Sequence, residues 1–120
     1  MKKHIWIVDD EAEIRDLLAM FLTQAGYDVT AMATPAEAFA LAKKDPPDLI
    51  ISDLQLEESD GLAMIDELRA TLPHTPVLLL TGVMFDPQVF RETLSQKVSS
   101  YLLKTTPLAK VKEEVERLLA

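Results

Sequence analysis

The chain predicts an α/β fold: five strands in a parallel sheet, doubly wound, with five helices. Two observations carry that expectation. Short apolar runs of strand type alternate with longer segments whose apolar residues recur at helical spacing. Three Thr/Asp-Pro pairs, Thr34-Pro35, Asp86-Pro87 and Thr106-Pro107, mark helix starts between those runs. Strict β–α alternation implies right-handed crossovers and parallel strands. The common five-strand solution is the flavodoxin-like order 2-1-3-4-5.

The strands read as His4–Val8, Asp28–Met32, Leu49–Ser52, Val77–Leu80 and Ser99–Leu103. The first helix places Ile14, Leu17, Leu18, Phe21 and Leu22 on one face, and Gly26 suits a left-handed cap after it. In the second, Thr34 caps, Pro35 fills the first turn and Glu37 completes a capping box. The third follows Asp60-Gly61 and turns Leu62, Ile65, Leu68 and Leu72 inward. The fourth starts at Asp86-Pro87 with Val89, Phe90 and Leu94; the fifth starts at Thr106-Pro107 with Leu108, Val111, Val115 and Leu118.

At 120 residues and 48% hydrophobic composition the chain suits one domain, residues 1–120, with one core. Twenty acidic against twelve basic residues give a formal charge of −8, which argues against direct nucleic-acid binding and against an anionic membrane as partner. Cysteine is absent, so disulfides and Cys-based zinc sites are excluded. The start, Met1-Lys2-Lys3, is too short for the charged region of a signal peptide, and no apolar run reaches membrane-spanning length. A cytoplasmic protein is expected.

Asp9 and Asp10 close the run Ile5-Trp6-Ile7-Val8, and Asp53 closes Leu49-Ile50-Ile51-Ser52. In the expected order these strands are neighbours at the switch point of winding, where ligands bind beyond the carboxyl ends. At an effective dielectric of about 20, two like charges about 4 Å apart repel by roughly 4 kcal/mol. Three ionised groups there point to a bound divalent cation, and oxygen ligands favour Mg²⁺. Thr81 and Lys104 also end apolar runs. A cation, a carboxylate, a hydroxyl and an ammonium at one sheet edge make a site for a phosphoryl group.

Singly, each residue has a plainer reading. Asp10 could cap the first helix with Glu13 as its box partner, Asp53 could open a loop, Lys104 could be solvated, and Thr81 could satisfy local backbone. Glu11 and Glu13 read as complements to the helix dipole. His4 and His74 lack metal-ligand spacing and read as surface residues; Trp6 reads as core. Joint placement is what favours the site.

Val8-Asp9-Asp10-Glu11, Asp53-Leu54, Asp60-Gly61, Thr81-Gly82 and Tyr101-Leu102-Leu103-Lys104, in this order and spacing, resemble the receiver domain of bacterial two-component response regulators. The resemblance covers essentially the whole chain. It implies that Asp53 is the phosphoacceptor, a carboxylate nucleophile forming an acyl phosphate. It implies a Mg²⁺ site built from Asp10 directly, Asp9 largely through water, Asp53, and the backbone carbonyl of Gln55. Lys104 would pair with phosphoryl oxygens, the Thr81 hydroxyl would donate to one, and Tyr101 would be the switch aromatic. The implied donor is a phosphohistidine of a histidine kinase or phosphotransfer protein. The implied output surface, also a homodimer surface, is helix 4, strand 5 and helix 5, with the exposed sides of Phe85, Phe90 and Val98 as candidates.

Two segments depart from the family. Lys104-Thr105-Thr106 stands where lysine is usually followed by proline, so either a costly cis bond is tolerated or the loop is trans and the lysine is held differently. Glu57 replaces a usual proline, and Gln55 and Val83 occupy the positions that tune water access; Val83 cannot orient a water, so fast self-dephosphorylation is not expected. Two rivals remain. A phosphate-independent pseudo-receiver fits the Lys104 departure, though every charged site residue is present. A Mg²⁺-dependent aspartyl phosphohydrolase would need a second acid two residues after the nucleophile, where Gln55 stands. The leading reading is a phosphorylation-controlled switch, not an enzyme beyond its own phosphorylation and dephosphorylation.

Overall fold

Parallel strands covered on both faces need continuous apolar sequence, and β1 (His4–Val8) and β3 (Leu49–Ser52) are buried at every position. They lie side by side in the centre of the sheet, with Val8 in register with Ser52. β2 (Asp28–Met32) flanks β1, and β4 (Val77–Thr81) and β5 (Ser100–Leu103) extend the other side, which gives the order 2-1-3-4-5 with all pairs parallel. The computed structural model describes residues 2–56, 59–82, 86–94 and 97–120, and of residues 55, 56, 59, 60, 89, 93 and 94 the backbone alone.

Strand alternation sends side chains to two cores. Trp6, Val8, Ile50 and Val77 pack with Met64, Ile65 and Leu68 of α3 (Gly61–Leu68) and Ala38 of α2 (Pro35–Leu41). Ile5, Ile7, Ile51, Leu78 and Leu80 pack with Leu18 and Leu22 of α1 (Ala12–Gln24) and Val111 and Val115 of α5 (Leu108–Leu119). Each such aliphatic side chain, fully buried, contributes about 1.5–3 kcal/mol. Among the described residues no helix is long and apolar enough to cross a membrane.

The punctuation works largely as the sequence predicts. Gly26 has φ +103 and closes α1 with its N–H on the Thr23 carbonyl at 3.1 Å. The Thr34/Glu37 capping box forms, and the Asp86 carboxylate accepts from the Gln88 N–H at 2.8 Å. At α5, Pro107 itself is the N-cap, so Thr106 does not cap. Leu17 is 46% exposed and lies off the buried face of α1, because Leu18 and Leu22 already fill the space over the sheet. The fourth helix is one α-turn, α4 (Pro87–Val89), followed by a π-helical turn Phe90–Leu94. A two-residue hairpin, Gln55–Leu56 with Ser59–Asp60, sits between β3 and α3 and was not expected.

His4 is buried, not on the surface as the sequence suggested; its Nε2 lies 2.8 Å from the Thr30 hydroxyl and its Nδ1 3.6 Å from Asp45. His74 is exposed, as expected. Val98 is 2% exposed and packs in the α2/α3 core, so it cannot serve an output surface. Phe90 is half-buried, its ring 4.8 Å from that of Tyr101. Phe85, Val83, Glu57 and Glu58 lie outside the described residues.

Candidate functional site

The carboxyl ends of β1, β3, β4 and β5 converge because the sheet is parallel. Asp9 follows β1, with its N–H on the Met32 carbonyl at 3.0 Å; Asp53 follows β3, with its N–H on the Val8 carbonyl at 3.1 Å. Sheet hydrogen bonds thus continue into both acidic residues and fix their backbones. Thr81 ends β4, is 1% exposed, and its carbonyl accepts from the Lys104 N–H at 2.8 Å. Asp9, Asp53 and Thr81 are all buried.

Lys104 joins them. Its Nζ lies 2.9 Å from Asp53 Oδ2, 3.2 Å from Asp9 Oδ2 and 2.5 Å from Glu11 Oε1. No described peptide bond is cis, so the Lys104–Thr105 bond is trans, and the lysine is aimed by three carboxylates instead of by a proline. Burial alone disfavours its ammonium; the hydrogen bonds it donates to Glu11 and Asp53 and the field of Asp9 outweigh burial and raise its pKa. For Asp9 the balance runs the other way. Burial raises its pKa above the usual aspartate value, against the lowering effect of the Glu11 N–H and of Lys104. One ammonium is therefore held firmly while the carboxylate deepest beside it remains penalised as an anion.

Oxygens of Asp9, Asp10, Glu11 and Asp53 all lie within 4.8 Å of one another. Hard oxygen donors at that spacing fit a divalent cation such as Mg²⁺. Asp10 is half-buried and is not the helix cap: Glu11 holds that position, with no capping bond from its side chain. Asp10 is thus left to the cluster. Gln55 opens the hairpin two residues after Asp53, its backbone paired with Asp60. Tyr101 sits half-buried on the edge strand against Phe90.

Four supporting residues were not recognised in the sequence. Glu11, read there as a dipole complement, binds Lys104; the signal was a third consecutive acid. The buried Ser52 hydroxyl donates to the Asp53 carbonyl at 2.9 Å. Arg15 Nη1 donates to the Asp9 carbonyl at 2.8 Å. At Gly61 a Cβ would sit 2.1 Å from the Asp53 carbonyl oxygen, so only glycine lets α3 approach this loop. The Asp60-Gly61 pair marked the helix start but not that contact.

A family model described as the response regulator receiver domain matches residues 5–116. The chain belongs to that family. This receiver domain is 35% identical over 101 residues to the transcriptional regulatory protein GlrR of Escherichia coli, covering 84% of the chain and 22% of that protein. It is 35% identical over 115 residues to the response regulator VraR of Staphylococcus aureus, covering 94% of the chain and 54% of that protein. It therefore spans about a fifth of one relative and about half of the other. The structure of the chemotaxis response regulator CheY4 of Vibrio cholerae superposes with a TM-score of 0.89 at 28% identity, over 99% of this chain and 100% of that one. The receiver domain of NtrX from Brucella abortus gives 0.85 at 28% identity, over 96% and 97%. The receiver domain is a signalling domain of two-component response regulators.

Proposed function

We propose that Asp53 is the phosphoacceptor of a Mg²⁺-dependent, phosphorylation-controlled switch. The observation that carries this reading is the Lys104 ammonium at 2.9 Å from Asp53 and 3.2 Å from Asp9, at the carboxyl edge of the sheet. Phosphoryl transfer asks a protein mainly for positioning and charge neutralisation. Asp53 Oδ attacks phosphorus as the P–N bond to the donor imidazole breaks, leaving an aspartyl phosphate and a histidine. Lys104 stays within reach of the transferred oxygens, and the Thr81 hydroxyl donates to one of them. Asp10, Asp9, Asp53 and the Gln55 carbonyl would hold Mg²⁺, which supplies neutralising charge for a phosphoryl group among carboxylates.

The donor class is a phosphohistidine on a kinase or phosphotransfer protein. The output would run through Tyr101: its ring lies 4.8 Å from that of Phe90 in the π-helical turn, tilted 42° to it, and a shift of Thr81 toward the phosphoryl group would be passed to the surface of α4, β5 and α5. That surface would meet a downstream partner or a second copy of the chain, and the switch would act in the cytoplasm. Incubation with Mg²⁺ and acetyl phosphate, read by intact mass, tests the acceptor. One added phosphoryl group is expected, lost in Asp53→Asn and retained in Lys104→Ala. No uptake from acetyl phosphate or from a kinase would instead favour a phosphate-independent module.

A further inference from the structure

We infer that Glu11 is a displaceable placeholder on Lys104, a positioning residue that must release the ammonium before the phosphoryl group can take its place. This rests on the reading of Asp53 as acceptor. An ammonium has three donors, and Glu11, Asp53 and Asp9 lie at 2.5, 2.9 and 3.2 Å from it. A phosphoryl oxygen on Asp53 therefore gains Lys104 only when one of these contacts is given up.

The three carboxylates are not equivalent. The side chains of Asp9 and Asp53 are 3% and 9% exposed, whereas that of Glu11 is 57% exposed. A buried carboxylate stripped of its cation has no water to replace it, while an exposed one rotates into solvent at little cost. Asp9 is further tied by the Glu11 N–H at 2.9 Å. The Glu11 backbone is fixed by that bond and by its carbonyl on the Arg15 N–H at 3.0 Å, so the side chain alone swings. Glu11 thus keeps Lys104 extended and satisfied before phosphorylation and competes with the phosphoryl group for it afterwards.

The test is a double-mutant cycle with wild type, Glu11→Gln, Lys104→Ala and the double variant. Two readouts are taken at saturating Mg²⁺: the initial rate of phosphorylation by acetyl phosphate, and the equilibrium affinity for beryllofluoride as a phosphoryl mimic. Calorimetry gives the Mg²⁺ affinity of each protein. Glu11→Gln is expected to raise the rate and tighten beryllofluoride about three- to tenfold, with no such gain once Lys104 is alanine. Mg²⁺ affinity should change less than about threefold. An unchanged Glu11→Gln protein overturns the inference. So does a gain that persists in full without Lys104, which would make it bulk charge, or a tenfold loss of Mg²⁺ affinity, which would make Glu11 a metal ligand. A wild-type protein that binds Mg²⁺ but takes neither acetyl phosphate nor beryllofluoride overturns the acceptor reading, and this inference with it.

Discussion

The two ends of one sheet are built on opposite electrostatic principles. At the amino end His4 meets Thr30 through Nε2, its backbone N–H donates to Asp48 Oδ2 at 2.8 Å, and the Asp48 backbone N–H returns to the His4 carbonyl at 2.7 Å. Donors and acceptors there close on one another, as buried polar groups do in a structural role. At the carboxyl end four carboxylates cluster and three of them share one ammonium. Both ends join the same strands, so the fold does not demand the second arrangement. Charge left over after local pairing is what makes the carboxyl end the candidate site.

Removing the acceptor should break the comparison most completely. In Asp53→Asn phosphoryl uptake should vanish in an intact-mass assay while the fold persists, because an amide keeps the shape and still accepts from Lys104. Retained uptake would move the acceptor elsewhere in the cluster.

Removing the cation comes next. Lys104→Met should destabilise the protein by about 2–3 kcal/mol at pH 7, less than the 3–5 kcal/mol typical of a fully buried pair, because the site opens at the sheet edge. The sign follows from linkage. The raised pKa of Lys104 means that its stabilisation is complete below the ordinary lysine value and is lost only as pH climbs through the higher folded value. The raised pKa of Asp9 means that its anionic form is penalised, with full stability below 3.8 and a loss as pH rises through its folded value. The variant's deficit should therefore shrink below about pH 4, where carboxylates protonate, and saturating Mg²⁺ at pH 7 should restore part of it. Denaturant melts across pH give the measurement; a deficit flat from pH 3 to 7 would deny that the carboxylates cause it.

A smaller and more local disturbance is Gly61→Ala. The added methyl meets the Asp53 carbonyl at 2.1 Å, so the loop or α3 must shift. Overpacking of this kind costs about 1–3 kcal/mol. It should also weaken Mg²⁺ binding several-fold by calorimetry, since the displaced backbone carries Asp53. A stability loss with unchanged Mg²⁺ affinity would show that the loop absorbs the strain without moving the carboxylate.

Much of this was legible before any coordinates. β1 and β3 coincide with their apolar runs because burial on both faces leaves no room for polar interruption. Asp9, Asp53, Thr81 and Lys104 were found because a parallel sheet must bring its strand ends together. What escaped depended on partners far along the chain. His4 read as exposed because Asp48, 44 residues away, cannot be paired with it by spacing. Glu11 read as a helix-dipole residue because its real partner is 93 residues away. The π-helical turn after α4 and the hairpin after Asp53 are backbone solutions with no periodic signature, and Leu17 satisfied a helical period that the sheet had no further space to cover.

The mildest perturbation belongs at the amino end, and it sharpens the contrast by what it should leave alone. Thr30→Val keeps the shape of the side chain and deletes the hydroxyl 2.8 Å from His4 Nε2. A buried ring nitrogen that loses its partner costs about 1 kcal/mol. Trp6, in register with Thr30 and wholly buried, stands on β1 between His4 and Asp9. If the two ends are independent, the melt should shift by that amount while the Mg²⁺ affinity and the acetyl phosphate rate stay within about twofold of wild type, since separated sites without shared partners add. A larger change in either would mean that β1 transmits strain along its length, and the amino end would then belong to the switch.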